Sequence, residues 1–390
     1  MRTKIVHGRV VTCTGQVLED GEILFDTERI LRVGRNTGEA DRVIDAAGRT
    51  VLPGFIDCHI HPGELSEQDP VAKALTVEHN CMELLKSGIT TARAVGTKYC
   101  ADVTLRNMID RGEISGPRLK AAGEVICITC GHGVEIGVEC DTVGETLKAA
   151  RSLCKQKVDW LKFMPTAGVI GVGPPTEVQL SREQIEAIIS VGRAFNTPTC
   201  AHLMNREAME ICIEAGLTCV EHGYAMDEAI ARRMVELGTW YVPTVVVTFM
   251  ESTRIQPKNQ TDREVVEKAA AMQVRARQAL ATAIRCGVKM AVGTDTGCPY
   301  TNPSTAAYAA ELGFYSQFGM ANEEILRCAT IRGAELLGID GVTGTLEEGK
   351  RADVIVMDGN PLEDIRCAKD IDYTFCEGRL LYRGDRDLIQ

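Results

Sequence analysis

The chain has 390 residues and a formal net charge of −11, with 45% hydrophobic and 25% charged residues. This composition is that of an ordinary globular protein, and the acidic balance argues against a general nucleic-acid or anionic-membrane partner. No apolar run approaches the roughly 18 residues of a membrane-spanning helix, and the first residues lack the apolar stretch of a signal peptide. We therefore expect a cytoplasmic protein with no membrane partner.

The two ends of the chain share one pattern. Residues 1–54 and 345–390 both consist of short alternating strands separated by turns, and neither segment can bury a core by itself. The simplest solution is a small β-sandwich domain built from both termini. The remaining residues, 55–344, would then form a separate domain inserted between the two halves.

The inserted segment alternates strand and helix. Several helices end in glycine and run directly into an apolar strand, as in "IEAG-LTCVEHG" and "IRCG-VKMAVGTD". The sequence also predicts two helix starts, because Ser181–Gln184 and Thr261–Glu264 have capping-box spacing. Eight β/α repeats predict an α/β fold with a (β/α)8 TIM-like barrel, the alternative being an open doubly wound sheet. The eight predicted strands are 55–61, 90–95, 118–123, 160–164, 197–202, 219–223, 241–247 and 289–295.

Polar residues at the C-terminal ends of barrel strands are the candidates for chemistry. Residues i and i+2 of a strand point to one side, so two histidines on the first strand can reach the same ion. A lysine in the apolar strand "DWLKFM" is a second signal, because a buried ammonium needs a partner or must lose its charge. The candidates are His59, His61, Lys162, His202, His222 and Asp295 at strand ends, with His132 in the loop after the third strand.

Each histidine alone is explained as well by a core or rim imidazole. Four histidines and an aspartate on four strand ends are hard to explain without a metal, and imidazole with carboxylate suits zinc or a similar divalent ion. Manganese, iron and cobalt remain alternatives. We expect His7 and His79 to have no function, and Cys127 and Cys130 lack the second ligand pair that a zinc site would need.

These residues stand in motifs that resemble the metal-dependent amidohydrolase superfamily over nearly the whole chain. More narrowly, other motifs are similar to the imidazolonepropionase-like, Xaa-Pro dipeptidase and arginine carboxypeptidase-like subgroup. The superfamily motifs are "PGFIDCHIHPGE", "AHLMN", "EHG", "GTDTG" and the closing "GTLEEGKRADVIVMDGNPLEDI", and the subgroup motifs are "ITCGHG", "DWLKFM", "YVPTVVV" and "ELGFYSQFGM".

The resemblance implies two divalent metal ions, most readily zinc, and a carbamate on Lys162, derived from carbon dioxide, that bridges them. A lysine in a dry site can be the nucleophilic amine that this modification requires. The alternative is an ordinary lysine paired with Asp159 or Asp295. The implied ligands are His59, His61 and Asp295 for the more buried ion and His202 and His222 for the more exposed one, with Lys162 shared.

Two residues are candidates for contact with substrate. His132 could reach over the site and stabilise a developing oxyanion, and the resemblance implies that Tyr224 binds a substrate carboxylate. A structural loop histidine and a packing tyrosine are the alternatives. Arg93 and Lys98 are weaker candidates for holding a carboxylate. The loop at 166–175 and the polar helix at 256–268 could cover the site.

The resemblance implies a hydrolase that cleaves an amide or peptide C–N bond of a small carboxylated molecule, a dipeptide or N-acyl amino acid, with a metal-bridging hydroxide. Asp295 would accept its proton and pass it to the leaving amine, unless it is only a metal ligand. The alternatives are imidazolonepropionase-like opening of a cyclic amide, deamination, lactone or phosphoester hydrolysis, and a non-catalytic scaffold. The resemblance also implies a homo-oligomer.

Overall fold

The computed structural model describes residues 1–63, 69–171, 173–297 and 305–384. Its β-strands fall into one antiparallel-rich terminal sheet and two parallel central sheets. The strands are β1 Thr3–Val11, β2 Val17–Phe25, β3 Ile30–Gly34, β4 Arg42–Asp45, β5 Thr50–Pro53, β6 Phe55–Ile60, β7 Ile89–Ala94, β8 Arg118–Ala121, β9 Val125–Cys127, β10 Gly137–Glu139, β11 Leu161–Phe163, β12 Thr199–Leu203, β13 Cys219–His222, β14 Trp240–Val242, β15 Val354–Met357, β16 Ile371–Cys376 and β17 Arg379–Arg383.

The α-helices alternate with the central strands. Within the described ranges no helix has both the length and the apolar composition needed to cross a membrane. The helices are α1 Pro70–Leu84, α2 Ala101–Asp110, α3 Val143–Lys155, α4 Arg182–Phe195, α5 Arg206–Ala215, α6 Glu228–Leu237, α7 Val245–Arg254, α8 Gln260–Cys286, α9 Thr305–Gln317, α10 Asn322–Cys328 and α11 Ile331–Leu336.

Strands from both ends of the chain pair in a single eight-stranded sheet. Its order is β17-β16-β15-β5-β1-β2-β3, and β4 pairs with β1. The two termini meet where β5 runs antiparallel to β15, with Leu52 opposite Ile355. Phe25 and Phe375 then pack edge to face in a core shared by both terminal segments, their ring centroids 5.1 Å apart. Burial of apolar side chains from both ends stabilises the sheet.

The central strands are parallel, as the α/β prediction requires. One sheet has the order β6-β7-β8 and the other β10-β9-β11-β12-β13-β14. All six residues of β6 and all six of β7 are buried, which is typical of parallel strands covered on both faces. A segment at 289–296 lies between β14 and β6, bridged in parallel fashion at Met290 and Thr296.

Two predicted strands differ most from expectation. The segment 289–295 has a single bridge, at Met290, with a second at Thr296 just beyond it, rather than a ladder. Asp295 at its end has a left-handed backbone with φ of 56°. The run 241–247 is strand only to Val242. The chain turns at Thr244, and α7 begins at the next residue although its first three residues are valines. The β propensity of these valines is overridden by tertiary contacts, since the Glu311 carboxylate accepts the first N–H groups of α7.

Helix ends follow the sequence signals with one exception. The four predicted terminal glycines, at 88, 216, 238 and 287, all have a left-handed backbone. The capping box at Ser181–Gln184 is confirmed, with both reciprocal hydrogen bonds present. The box predicted at Thr261–Glu264 is wrong. The side chain of Asn259 caps α8 instead, accepting from the N–H of Asp262, so the helix begins two residues earlier.

Candidate metal centre and active site

Strand β6 brings two histidines to one side, as the i, i+2 spacing predicts. His59 is fully buried, and His61 follows the strand with 6% of its surface exposed. The Nε2 atoms of both rings lie 3.4 Å from Oδ1 of Asp295. Asp295 is held there by its own N–H, which donates to the His59 carbonyl. The first predicted group of ligands is therefore assembled around one carboxylate oxygen.

The two other strand-end histidines join this group. His202 lies on β12 and His222 ends β13, and their ring centroids are 4.5 Å apart. The centroid of His222 is also 5.0 Å from that of His59. Ligand atoms of His59, His222 and Asp295 all lie within 4.8 Å of one another. Such a buried cluster of imidazole and carboxylate groups can hold a divalent cation.

Hydrogen bonds to the backbone fix two of the rings. Nδ1 of His61 lies 3.1 Å from the Gly96 carbonyl, and Nε2 of His202 lies 3.0 Å from the Ala167 carbonyl. A carbonyl oxygen only accepts, so these ring nitrogens donate. In the neutral rings, Nε2 of His61 and Nδ1 of His202 therefore carry the lone pair that a metal requires. Orientation of this kind is typical of metal-binding histidines.

Burial keeps the imidazoles in that neutral form. Burial lowers the pKa of His61 to about 4 and lowers the pKa values of His202 and His222 well below the ordinary value. Burial raises the pKa of Asp295, but the neighbouring histidines more than offset this and hold it below its usual range. The centre thus presents neutral nitrogens and one carboxylate, the protonation states in which these groups bind metals.

A buried ion pair behind His59 was not foreseen. Oε2 of Glu221 lies 2.6 Å from Nδ1 of His59, and its Oε1 lies 2.6 Å from the Arg93 guanidinium. Both Glu221 and Arg93 are fully buried. Burial raises the pKa of Glu221, but Arg93 and His59 bring it down to about 2. The suggestion that Arg93 holds a substrate carboxylate is therefore wrong, because this arginine orients a histidine through Glu221.

We predict that Glu221→Gln lowers metal affinity about 10- to 100-fold, since it weakens the hydrogen bond that orients His59. Titration of the apo protein with zinc, followed by calorimetry, measures this change. Glu236→Gln, an exposed position at the end of α6, is the matched control and should bind as the wild type does. An unchanged affinity in Glu221→Gln would mean that the buried pair is only structural.

Lys162 is the most unusual group of the centre. It lies on β11 with 0% exposure, and its Nζ has no hydrogen-bond partner among the described residues. Asp159, one predicted partner, is instead bound by Arg106 and Lys120. A buried amine without a partner is costly. The residues present therefore fit a modified lysine whose added oxygens bind cations.

His132 lies in the loop between β9 and β10 and packs against the centre. Its ring centroid is 4.3 Å from that of His202, and its Nδ1 donates to the Ile170 carbonyl at 3.0 Å. Gly168 permits this approach, because a Cβ there would lie 2.7 Å from the His132 ring nitrogens. His132, Lys162, His202, His222 and Asp295 line one cavity with apolar residues that include Met164 and Val247.

The polar groups of Tyr224 and Lys98 are bound to other parts of the protein. The Tyr224 hydroxyl donates to the Thr244 carbonyl at 2.9 Å, and only 2% of the residue is exposed. Its role with substrate stays a prediction. Nζ of Lys98 donates to the Gly137 carbonyl and pairs with Glu124, which occupies the ammonium group. This contradicts a free carboxylate-binding role for Lys98.

The covering elements also lie near one another. Lys268, on α8, donates to the carbonyl of Gly171 in the loop that follows β11, at 2.8 Å. Only residues 260–268 of the predicted polar helix are helical; they form the first part of α8, whose 27 residues extend well past them. Whether either element moves over the site stays a prediction. His7 and His79, expected to have no function, are both exposed.

A parallel α/β fold with a buried cluster of histidines, a carboxylate and a lysine defines a candidate metal-dependent hydrolase. The model of the amidohydrolase family matches residues 50–381. The chain belongs to this family, and the prediction of a hydrolase acting on amide C–N bonds is thereby confirmed.

Three relatives illustrate the similarity. A solved structure of a Xaa-Pro dipeptidase with methionine bound in its active site is 28% identical, with a TM-score of 0.90 over 98% of this chain and 100% of the other. Ochratoxinase of Aspergillus niger is 26% identical over 93% of this chain and 82% of its own. Imidazolonepropionase of Mesorhizobium japonicum is 27% identical over 82% and 80%. These relatives cover most of both chains.

Proposed function

We propose that this protein is a binuclear-metal hydrolase that cleaves the amide or peptide C–N bond of a small carboxylated substrate, a dipeptide or an N-acyl amino acid. The observation that carries the proposal is Lys162, buried without a hydrogen-bond partner among the described residues and lining the same cavity as three histidines of the centre and Asp295. Similarity to a Xaa-Pro dipeptidase and to ochratoxinase supports the substrate class.

In this proposal Lys162 is carboxylated. Its neutral amine attacks carbon dioxide, a C–N bond forms and one proton leaves, so that an anionic carbamate replaces an uncompensated amine. Bound metal ions, most readily zinc, would supply Lewis acidity to a water molecule and to the amide carbonyl. The residues that would hold them are His59, His61 and Asp295 in one position and His202 and His222 in the other, with the carbamate of Lys162 shared.

The remaining steps fall to side chains of this chain. Asp295 accepts a proton from the attacking water and returns it to the leaving amine, because its depressed pKa keeps it ionised. His132 stabilises the developing oxyanion, and Tyr224 binds the substrate carboxylate. Both roles require a small rearrangement, since Nδ1 of His132 and the Tyr224 hydroxyl each donate to a backbone carbonyl.

Opening of a cyclic amide is the second candidate, and the similarity to an imidazolonepropionase favours it. Deamination is less well supported, because Ala225 stands three residues after His222, where superfamily deaminases have the glutamate of a His-x-x-Glu pattern. Lactone hydrolysis is also less well supported, since the terminal β domain is atypical of that branch. The residues named above serve ring opening equally well, so substrate assays must separate the two leading candidates.

The architecture proposed with this function is a closed (β/α)8 barrel at 55–344 and a β-sandwich made from 1–54 and 345–390. The bridges of 289–296 to β14 and β6 support closure, and the shared terminal sheet supports the second unit. We also propose a homo-oligomer located in the cytoplasm. Analytical ultracentrifugation of the purified chain tests the assembly.

Metal removal tests the proposed function directly. We expect a strong chelator to abolish hydrolysis and added zinc to restore it, with about two equivalents of metal per active chain by elemental analysis. A panel of dipeptides, N-acyl amino acids and cyclic amides identifies the substrate class. Activity that survives complete metal removal would contradict the proposal, and turnover of cyclic amides alone would favour the second candidate.

A further inference from the structure

One buried acidic side chain in the candidate active site has no role in the mechanism above. Glu251 lies on α7, lines the same cavity as Lys162 and Asp295, and is only 3% exposed. Among the residues that the structure describes, its carboxyl group has neither a hydrogen bond nor an ion pair. A carboxyl group in this position needs an explanation, because buried acidic groups are normally paired.

The surroundings make an unpaired carboxylate costly. Met164, Met204 and Val247 line the same cavity and offer no compensating charge. Burial, reinforced by the negative charge of Asp295, raises the pKa of Glu251 to about 8. A cationic group lying beside such a carboxyl group would stabilise its ionised form.

A second buried carboxyl group shows what a structural role looks like in this protein. Glu311, on α9, is also fully buried, and burial raises its pKa to about 8 as well. Its two oxygens, however, accept from the N–H groups of Val245 and Val246 at 3.2 and 2.7 Å, which satisfies the start of α7. Glu251 lies on α7 itself and satisfies no such group among the residues that the structure describes.

We propose that Glu251 binds a cationic group of the substrate, an ammonium or a guanidinium, and thereby selects positively charged substrates. This inference rests on the proposed amide hydrolysis at the same site. The cation has two chemical sources, the free α-amino group of a dipeptide and a basic side chain. Glu135, an exposed residue that lines the same cavity, adds a second negative charge that attracts cations.

Matched substrates test the proposal by turnover. The metal-loaded wild type is assayed with Ala-Arg and Arg-Ala, with the corresponding citrulline dipeptides, whose neutral urea has the shape of the guanidinium, and with the N-acetylated forms of all four. We expect kcat/KM to fall about 10- to 100-fold when the relevant cation is removed, as for a lost charged hydrogen bond. A loss with the citrulline dipeptides identifies the basic side chain as the bound cation. A loss on N-acetylation identifies the α-amino group instead.

The variant Glu251→Gln keeps the size of the side chain and removes its charge. It should lose the discrimination between charged and neutral substrates, and Glu267→Gln, an exposed position on α8, should retain it. Glu251→Met serves as a second variant if the glutamine protein folds poorly. Equal losses on charged and neutral substrates, or a preference for charge that persists in Glu251→Gln, would overturn the proposal.

A binding measurement keeps the inference separate from the proposed function. Arginine, citrulline and their N-acetyl derivatives are added to wild type, and melting temperature is recorded, because ligands that bind the folded state stabilise it. The inference is supported if the cationic probe of a pair stabilises wild type, its neutral partner does not, and this difference disappears in Glu251→Gln. That result would hold even if no amide is hydrolysed. Equal stabilisation by all four probes, or by none, overturns it even if amides are hydrolysed.

Discussion

Replacing Lys162 with alanine is expected to lower kcat/KM on the order of a thousandfold and to reduce the metal content of the purified protein. The loss follows from removing the one group proposed to be shared by both ions, not from unfolding. A short carboxylic acid such as acetate or propionate should restore part of the activity, because it fits the space left by the side chain and supplies the missing oxygens. Metal analysis and steady-state kinetics, with and without the acid, measure both effects.

The matched control is Lys289→Ala, since Lys289 is exposed and its Nζ lies 5.7 Å from the centroid of the Trp240 ring. That variant should have normal activity and metal content. Growth with 13C-labelled carbon dioxide adds a direct readout, because wild type should show one carbamate carbon that Lys162→Ala lacks. Unchanged metal content and activity in Lys162→Ala would refute the bridge, and the buried amine would then need another explanation.

Asp295→Asn is expected to lose about 10³- to 10⁴-fold in kcat while keeping the fold, because an amide cannot accept the proton that the carboxylate takes. The backbone is expected to tolerate the change. Asp295 has φ of 56°, and asparagine adopts this left-handed conformation as readily as aspartate does. Single-turnover kinetics and thermal melting, measured on the same preparation, separate lost chemistry from lost stability.

Asp110→Asn, at the exposed end of α2, is the control for this substitution and should match the wild type in both measurements. A parallel loss of metal in Asp295→Asn would assign Asp295 mainly to metal binding, since its Oδ1 lies 3.4 Å from two histidine nitrogens. Near-normal turnover with full metal content would remove Asp295 from the mechanism.

Local rules were sufficient to select the candidate ligands because each lies on, or directly after, a segment that the sequence predicts to be a central strand. The two-residue period of a strand places His59 and His61 on one side, whatever the rest of the chain does. Glycines at helix ends marked where several of the following strands begin. Parallel strands share one edge for their C-terminal ends, so histidines far apart in sequence meet there. Lys162 could be selected from the sequence for a related reason. Burying a charged lysine in an apolar strand costs free energy unless the amine has a partner or a function.

Tertiary structure decided what local rules could not. Arg93 looked like a group for substrate, but its partner Glu221 is 128 residues away, and only the fold shows that the two form one buried pair behind His59. Val245 begins a helix despite its β propensity, because a distant carboxylate, that of Glu311, accepts its N–H.

The sequence by itself determined the family, the alternation of strand and helix, and the choice of residues that form the candidate metal centre. These features depend on residue type and short-range spacing, both of which can be read from a single sequence. The orientation of the imidazoles, the ion pair behind His59 and the burial of Glu251 in the cavity wall were decided only by the tertiary structure. They depend on which residues meet across long stretches of chain, and on how fully water is removed when they do.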